Sequence, residues 1–225
     1  MYYRAISCIR LTVAALLSLT VVMSSTVSAK ARVAELADGG MVATRSSWAS
    51  QIGADILRQG GNAVDAAVAI GFGLAVTYPS AGNLGGGGFM VIRLADGAVI
   101  TNDHREKAPG KASKNMFLDE NGDVVKGLST RSHLAAGVPG SVAGLLDVLE
   151  KYGTMTRAQV MQPAIELAAK GIILDRDLAD SFARRGREFA KYPASAAVFA
   201  HETGSYQIGD LWRQPDLAAS LERIK

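Results

Sequence analysis

Cysteine is all but missing from this chain: Cys8 is the only one. A single thiol closes no internal disulfide and builds no thiolate metal cluster. Histidine is nearly as scarce. His104, His133 and His201 stand far apart and offer no zinc-ligand spacing. Aromatic residues make up only 6% of the chain, but hydrophobic residues make up 48%, so it is built for an ordinary packed core and not for disorder. No charge sign dominates, with 24 basic against 21 acidic residues. The main apolar run, Leu11 to Met23, falls short of the roughly 20 residues that a membrane span needs.

That run belongs to a leader. Arg4 and Arg10 make a basic start, the apolar run follows, and Val27-Ser28-Ala29 is a small-residue cleavage site. This is the layout of a secretory signal peptide over residues 1–29. Its removal takes Cys8 with it, leaving no thiol nucleophile. It also removes two arginines, so 22 basic residues stand against 21 acidic ones, a formal charge of +1. The basic balance therefore gives no reason to expect a nucleic-acid partner or stable membrane contact after cleavage. The 225 residues have the length of one domain, or one and a half at about 150 residues each, and residues 30–225 are expected to form a single domain fragment.

Local signals then mark the elements. Met41 to Thr44 reads as a short strand. Ser46-Ser47 offers an N-cap, with Trp48, Ile52 and Ile56 following at intervals of four, and Gly60-Gly61 ends that helix. Asn62 with Asp65 opens a second helix. From Ala63 to Val76 it is apolar or glycine on nearly every side, which predicts complete burial, most simply against a sheet. Tyr78-Pro79 ends it. A loop runs from Ala108 to about Ser132, with a turn at Asn121-Gly122. Ser141 to Tyr152 is a helix, with Leu145, Val148, Leu149 and Tyr152 on one face and Gly153 as its stop. Thr156 and Gln159 form a capping box for the next helix, in which Pro163 predicts a kink or restart before Gly171. Asp177 to Lys191 reads as a polar amphipathic helix stopped by Pro193. The last residues keep a helical stripe of Leu217, Leu221 and Ile224 with no stop signal, the pattern expected of a truncated chain.

The most informative stretch runs from Gly82 to Ala108. Four glycines, Gly85 to Gly88, lead into a strand at Phe89–Leu94. Asp96-Gly97 turns the chain, and a second strand from Ala98 to about Asn102 delivers His104-Arg105-Glu106. A guanidinium at a strand end can grip a carboxylate with two parallel hydrogen bonds. Taken alone, Arg105 reads first as a solvated strand-end arginine. The glycine run lacks the lysine and hydroxyl of a phosphate-binding loop and precedes a strand, so neither phosphate nor dinucleotide motif fits. It serves close backbone approach or lines a pocket. Asn83 is a candidate ligand contact, or an asparagine that satisfies its own turn. His133 reads as a hydrogen-bonded structural histidine. Ser141 fails the nucleophile elbow because Pro139 stands where glycine is required.

Four blocks together carry a family likeness. Asn83-Leu84-Gly85-Gly86-Gly87-Gly88-Phe89-Met90 with Arg105-Glu106-Lys107-Ala108-Pro109 resembles the γ-glutamyltranspeptidases, or glutathione hydrolases. So do Gly60 to Ala67, Ser132 to Gly140, and Lys151 to Met155 with Gln162-Pro163-Ala164. The resemblance covers roughly Gly40 to the C-terminus. It implies an α+β fold, part of an N-terminal-nucleophile (Ntn) hydrolase αββα sandwich in which antiparallel sheet is flanked by helices. It also implies that Arg105 binds the α-carboxylate of a γ-glutamyl substrate such as glutathione, with Glu106 and Asn83 as supporting residues. His104 departs from the family, which commonly has an aromatic residue there; the expectation for it is a ring facing solvent. The family's nucleophile is a threonine freed by self-cleavage, which opens a small subunit of the same precursor. No segment here matches it, so the catalytic residue is expected outside this chain and the chain alone is expected to be inactive. No cofactor and no metal are implied. Two alternatives remain from the sequence: a related acylase of the cephalosporin type, and a non-enzymatic exported binding module.

Overall fold

The structure, a computed structural model, describes residues 36–201 and 204–225. The leader and Cys8 lie outside the described residues. The chain divides after Asp38, and the architecture below is that of Gly39–Lys225.

Helix α1, Ser47–Arg58, begins where the Ser46 side chain accepts the Ala49 N–H, and it turns Ala49, Ile52, Gly53 and Ile56 inward. Trp48, expected on that stripe, is 39% exposed and is not among the buried residues. Helix α2, Ala63–Thr77, opens with the expected capping box: Asn62 accepts the N–H groups of Val64 and Asp65, and Asp65 accepts that of Asn62. Ten of its fifteen residues are buried, so it is the central element. Its partners are mainly helices and not the sheet that the sequence suggests. Small residues explain the difference. Gly73 receives Ile52 of α1, and Gly71 receives Leu145 of a later helix, so neighbouring helices pack at close range. Full burial of Val68, Phe72 and Val76 contributes about 1.5–3 kcal/mol each.

Strands β1, Phe89–Arg93, and β2, Val99–Asp103, pair antiparallel with Ile92 opposite Ile100. The turn places Gly97 at φ +92°, where only glycine is comfortable, and the Asp96 carboxylate accepts the Ala98 N–H at 2.9 Å. Alternate residues divide the hairpin: Met90 and Ile92 pack on the helical core, and Phe89, Val91 and Val99 are exposed. Met41 to Thr44, expected as a strand, pairs with no strand among the described residues.

The long loop that follows holds the Asn121-Gly122 turn, but it closes with a single helical turn, α3, Leu128–Arg131, and a 3₁₀ turn at His133–Ala135. Helix α4, Ser141–Tyr152, and α5, Arg157–Lys170, match their expected bounds. Helix α5 runs through Pro163 without restarting, because packing of Val160, Met161, Ala164 and Ile165 holds it. Gly171, at φ +90°, passes the chain into β3, Ile172–Ile173, which pairs antiparallel with β4, Leu211–Trp212. Between them lie α6, Arg176–Phe189, capped by Asp175, and α7, Pro193–Phe199. Pro193 therefore starts a helix as well as following one. Phe182, Phe199, Tyr206 and Trp212 form a second small core. Helix α8, Pro215–Ile224, buries Ala218 and Leu221 against the main one. Among the described residues no helix is long and apolar enough to cross a membrane.

Candidate functional site

The site begins where β2 runs out. His104 extends the ladder by one residue, its N–H donating to the Gly88 carbonyl at 3.1 Å. Three residues on, Lys107 and Val138 exchange both backbone hydrogen bonds, at 3.1 and 2.8 Å. Arg105 and Glu106 are thus strung between two fixed points, and the Asp103 carboxylate accepts the Arg105 N–H at 3.0 Å. The backbone of Gly87 presses on that of Arg105 and Glu106. A Cβ at Gly87 would overlap the Glu106 nitrogen, so no side chain is tolerated. At this position the glycine run serves close approach, the simpler of its two readings.

The same glycines tie the site to α4. The Gly86 carbonyl accepts the N–H groups of Gly140 (2.7 Å) and Ser141 (3.0 Å), two donors that the helix start leaves open. Asn83 organises the turn from within. Its Oδ1 accepts the Gly86 N–H at 2.9 Å and the Ser141 hydroxyl at 2.5 Å, and its Nδ2 donates to the Ala81 carbonyl. Asn83 is therefore engaged as a brace, and Ser141 is committed to it.

His104 does not face solvent as the sequence reading expects. Its ring is half-buried in a slot between two glycines, Gly88 and Gly144, each standing where a Cβ would strike the imidazole. Asn102 Nδ2 donates to Asp147 at 3.2 Å, so Asn102 Oδ1 faces His104 Nδ1 at 2.7 Å. An amide oxygen only accepts, which assigns the proton of the neutral ring to Nδ1. Asp147 is held in turn by Lys151 at 2.8 Å, a bond that raises the Lys151 pKa. The only sequence signal for this slot is the pair of glycines in different elements; their convergence is not readable from spacing.

Arg105 itself leaves its immobilised backbone for solvent. Its side chain is 65% exposed, and its Nε lies 3.7 Å from the Glu106 carboxylate, an ion pair longer than a hydrogen bond. It borders an open depression of about 430 Å³ together with Asp103, His104, Lys107, Pro139 and Asp147. The structure thus sets Arg105 and Glu106 side by side. Asn83 is linked to them through the glycine run. His133 lies exposed in its 3₁₀ turn with no ring hydrogen bond among the described residues, contrary to the satisfied histidine expected. Among the described residues no group of acidic, histidine or cysteine side chains could hold a metal ion.

Comparison with known proteins gives a consistent result. The family model described as gamma-glutamyltranspeptidase matches residues 49–225. The glutathione hydrolase proenzyme of Pseudomonas sp. (strain A14) is 50% identical over 189 residues, 84% of this chain and 33% of that protein. The Escherichia coli (strain K12) protein of the same name is 50% identical over 186 residues, 82% and 32% respectively. Acylase ACY 1 proenzyme of Pseudomonas sp. (strain V22) is less similar, at 38% identity. The crystal structure of Helicobacter pylori gamma-glutamyltranspeptidase superimposes with a TM-score of 0.82 at 48% identity, over 85% of this chain and 55% of that one. The chain therefore spans about a third of the length of the curated relatives it matches.

Proposed function

Because this chain belongs to the γ-glutamyltranspeptidase family, we propose that it supplies the carboxylate grip of an exported enzyme that cleaves γ-glutamyl amides such as glutathione. One observation carries the reading. Arg105 has a backbone clamped on both sides and an exposed guanidinium at the rim of a ligand-sized depression. That arrangement suits a two-point bond to a fixed carboxylate. The leader-like residues 1–29 support export.

In this mechanism Arg105 holds the α-carboxylate and so delivers the γ-amide to a nucleophile. The nucleophile is the hydroxyl of an N-terminal threonine on a second subunit of the same precursor, outside this chain. Its own amine takes the proton, the amide C–N bond breaks, and the leaving amine departs with a proton. The glutamyl ester then passes to water or to the amine of an amino acid or peptide. The chain's contribution is positional. Glu106 orients the guanidinium, and Gly87 keeps its base from moving.

The test is Arg105→Ala in the full-length protein that contains this chain. Loss of a charge-assisted bidentate contact costs about 2–3 kcal/mol, so KM for γ-glutamyl-p-nitroanilide should rise roughly 30- to 150-fold. Arg105→Lys should recover part of that loss, and an unchanged KM would sink the assignment. A glutaryl amide keeps the same carboxylate and lacks only the α-ammonium group. Faster turnover of glutaryl than of glutamyl amides would therefore favour an acylase.

A further inference from the structure

The depression beside Arg105 holds a second cation that the reading above does not use. The segment from Arg105 to Lys107 joins the end of β2 to the antiparallel bridge between Lys107 and Val138, and its alternate side chains leave opposite faces. Glu106 lies between Gly87 and Gly137 on one side, while Arg105 and Lys107 both border the depression on the other. Their Cα atoms are about 7 Å apart by strand geometry. Both backbone hydrogen bonds to Val138 fix the base of Lys107.

The charges around the depression are unequally matched. Asp147 is paired with Lys151 and hydrogen-bonded by Asn102. Asp103 accepts the Arg105 N–H. Neither pairs with Lys107, which makes no ion pair or side-chain hydrogen bond among the described residues. Arg105 has only the 3.7 Å contact with Glu106. Of the two rim carboxylates, Asp147 is charge-paired with Lys151, and of the two cations on this face Lys107 has no ion pair among the described residues.

We propose that Lys107 is a specificity-determining residue that binds a second carboxylate on the γ-glutamyl donor, selecting peptides with a free C-terminal carboxylate over neutral γ-glutamyl amides. The inference rests on the reading of Arg105 given above. Arg105 takes the α-carboxylate as a planar fork. Lys107, a point charge on a flexible stem, reaches for the distal carboxylate of the same donor. Glutathione carries both groups, one at each end.

The experiment uses the full-length protein containing this chain and two donors, glutathione and its glycyl ethyl ester, which differ only in the distal charge. The readout is the ratio of KM for the ester to KM for glutathione. At an exposed rim the ratio should be about fivefold, the upper range of solvent-screened ion pairs. Lys107→Met should collapse it to about one, and Lys107→Arg should keep it. A wild-type ratio near one, or the same ratio in Lys107→Met, overturns the proposal. Arg105→Ala separates the two readings. It should raise KM for both donors alike, and if it raises neither, the Arg105 reading fails while the ratio still reports on Lys107.

Discussion

Asp65 should be the most sensitive polar residue of this fold. It is fully buried, and its carboxylate accepts four hydrogen bonds: from the N–H of Asn62 (2.8 Å), the N–H of Thr154 (2.9 Å), the N–H of Met155 (3.0 Å) and the Thr154 hydroxyl (2.7 Å). It thereby joins the start of α2 to the turn before α5. Burial alone pushes its pKa up. The hydrogen bonds from the Thr154 hydroxyl and the three backbone N–H groups outweigh that and hold it below the usual carboxylate value. In Asp65→Asn the amide oxygen still serves Thr154 and Met155. The amide nitrogen, however, meets the Asn62 N–H donor to donor. One stranded donor costs about 1–3 kcal/mol, and loss of charge assistance adds about 1 kcal/mol, so the variant should lose about 2–4 kcal/mol at pH 7.

The sign with pH follows. A depressed folded pKa means that this stabilisation is complete above the unfolded value of about 3.9 and is lost as pH falls through the folded value. Urea denaturation followed by circular dichroism should show the wild-type protein losing stability more steeply than Asp65→Asn below pH 4. A variant within 0.5 kcal/mol of wild type at pH 7, or one with the same acid slope, would refute the account.

Two further substitutions probe separate links. Gly144→Ala would drive a methyl group into the His104 ring, expelling it from its slot at about 1–3 kcal/mol. Nitrogen NMR of the wild-type ring should show the proton on Nδ1, and the variant should lose that preference. Gln214→Leu removes the side-chain donor to the Val76 carbonyl at 2.9 Å, a buried bond that closes the end of α2, and should cost about 1–3 kcal/mol by thermal unfolding.

Much of this molecule is written in local chemistry. Asn62 with Asp65 and Thr156 with Gln159 announce two helix starts because each pair satisfies its own backbone donors, whatever surrounds it. Asp96-Gly97 announces the hairpin because the turn demands a positive φ there. Other features escaped for the opposite reason. Strands β3 and β4 are two residues each and exist only because they meet. Pro163 sits in an unbroken helix because neighbouring side chains pack around it. Met41 to Thr44 has a strand's composition but no partner strand among the described residues.

The site divides in the same way. Motif and order in the sequence determined the family, the hairpin and the candidate arginine, since glycine run, turn and guanidinium are consecutive in the chain. Only the tertiary structure decided what surrounds that arginine. Gly88 and Gly144 converge from separate elements to enclose the His104 ring, Asn83 turns from ligand candidate to brace, and Lys107 comes to share a rim with Arg105. Contacts between residues distant in sequence depend on how helices pack. Packing is set by the shape of the whole core and not by any short stretch of chain.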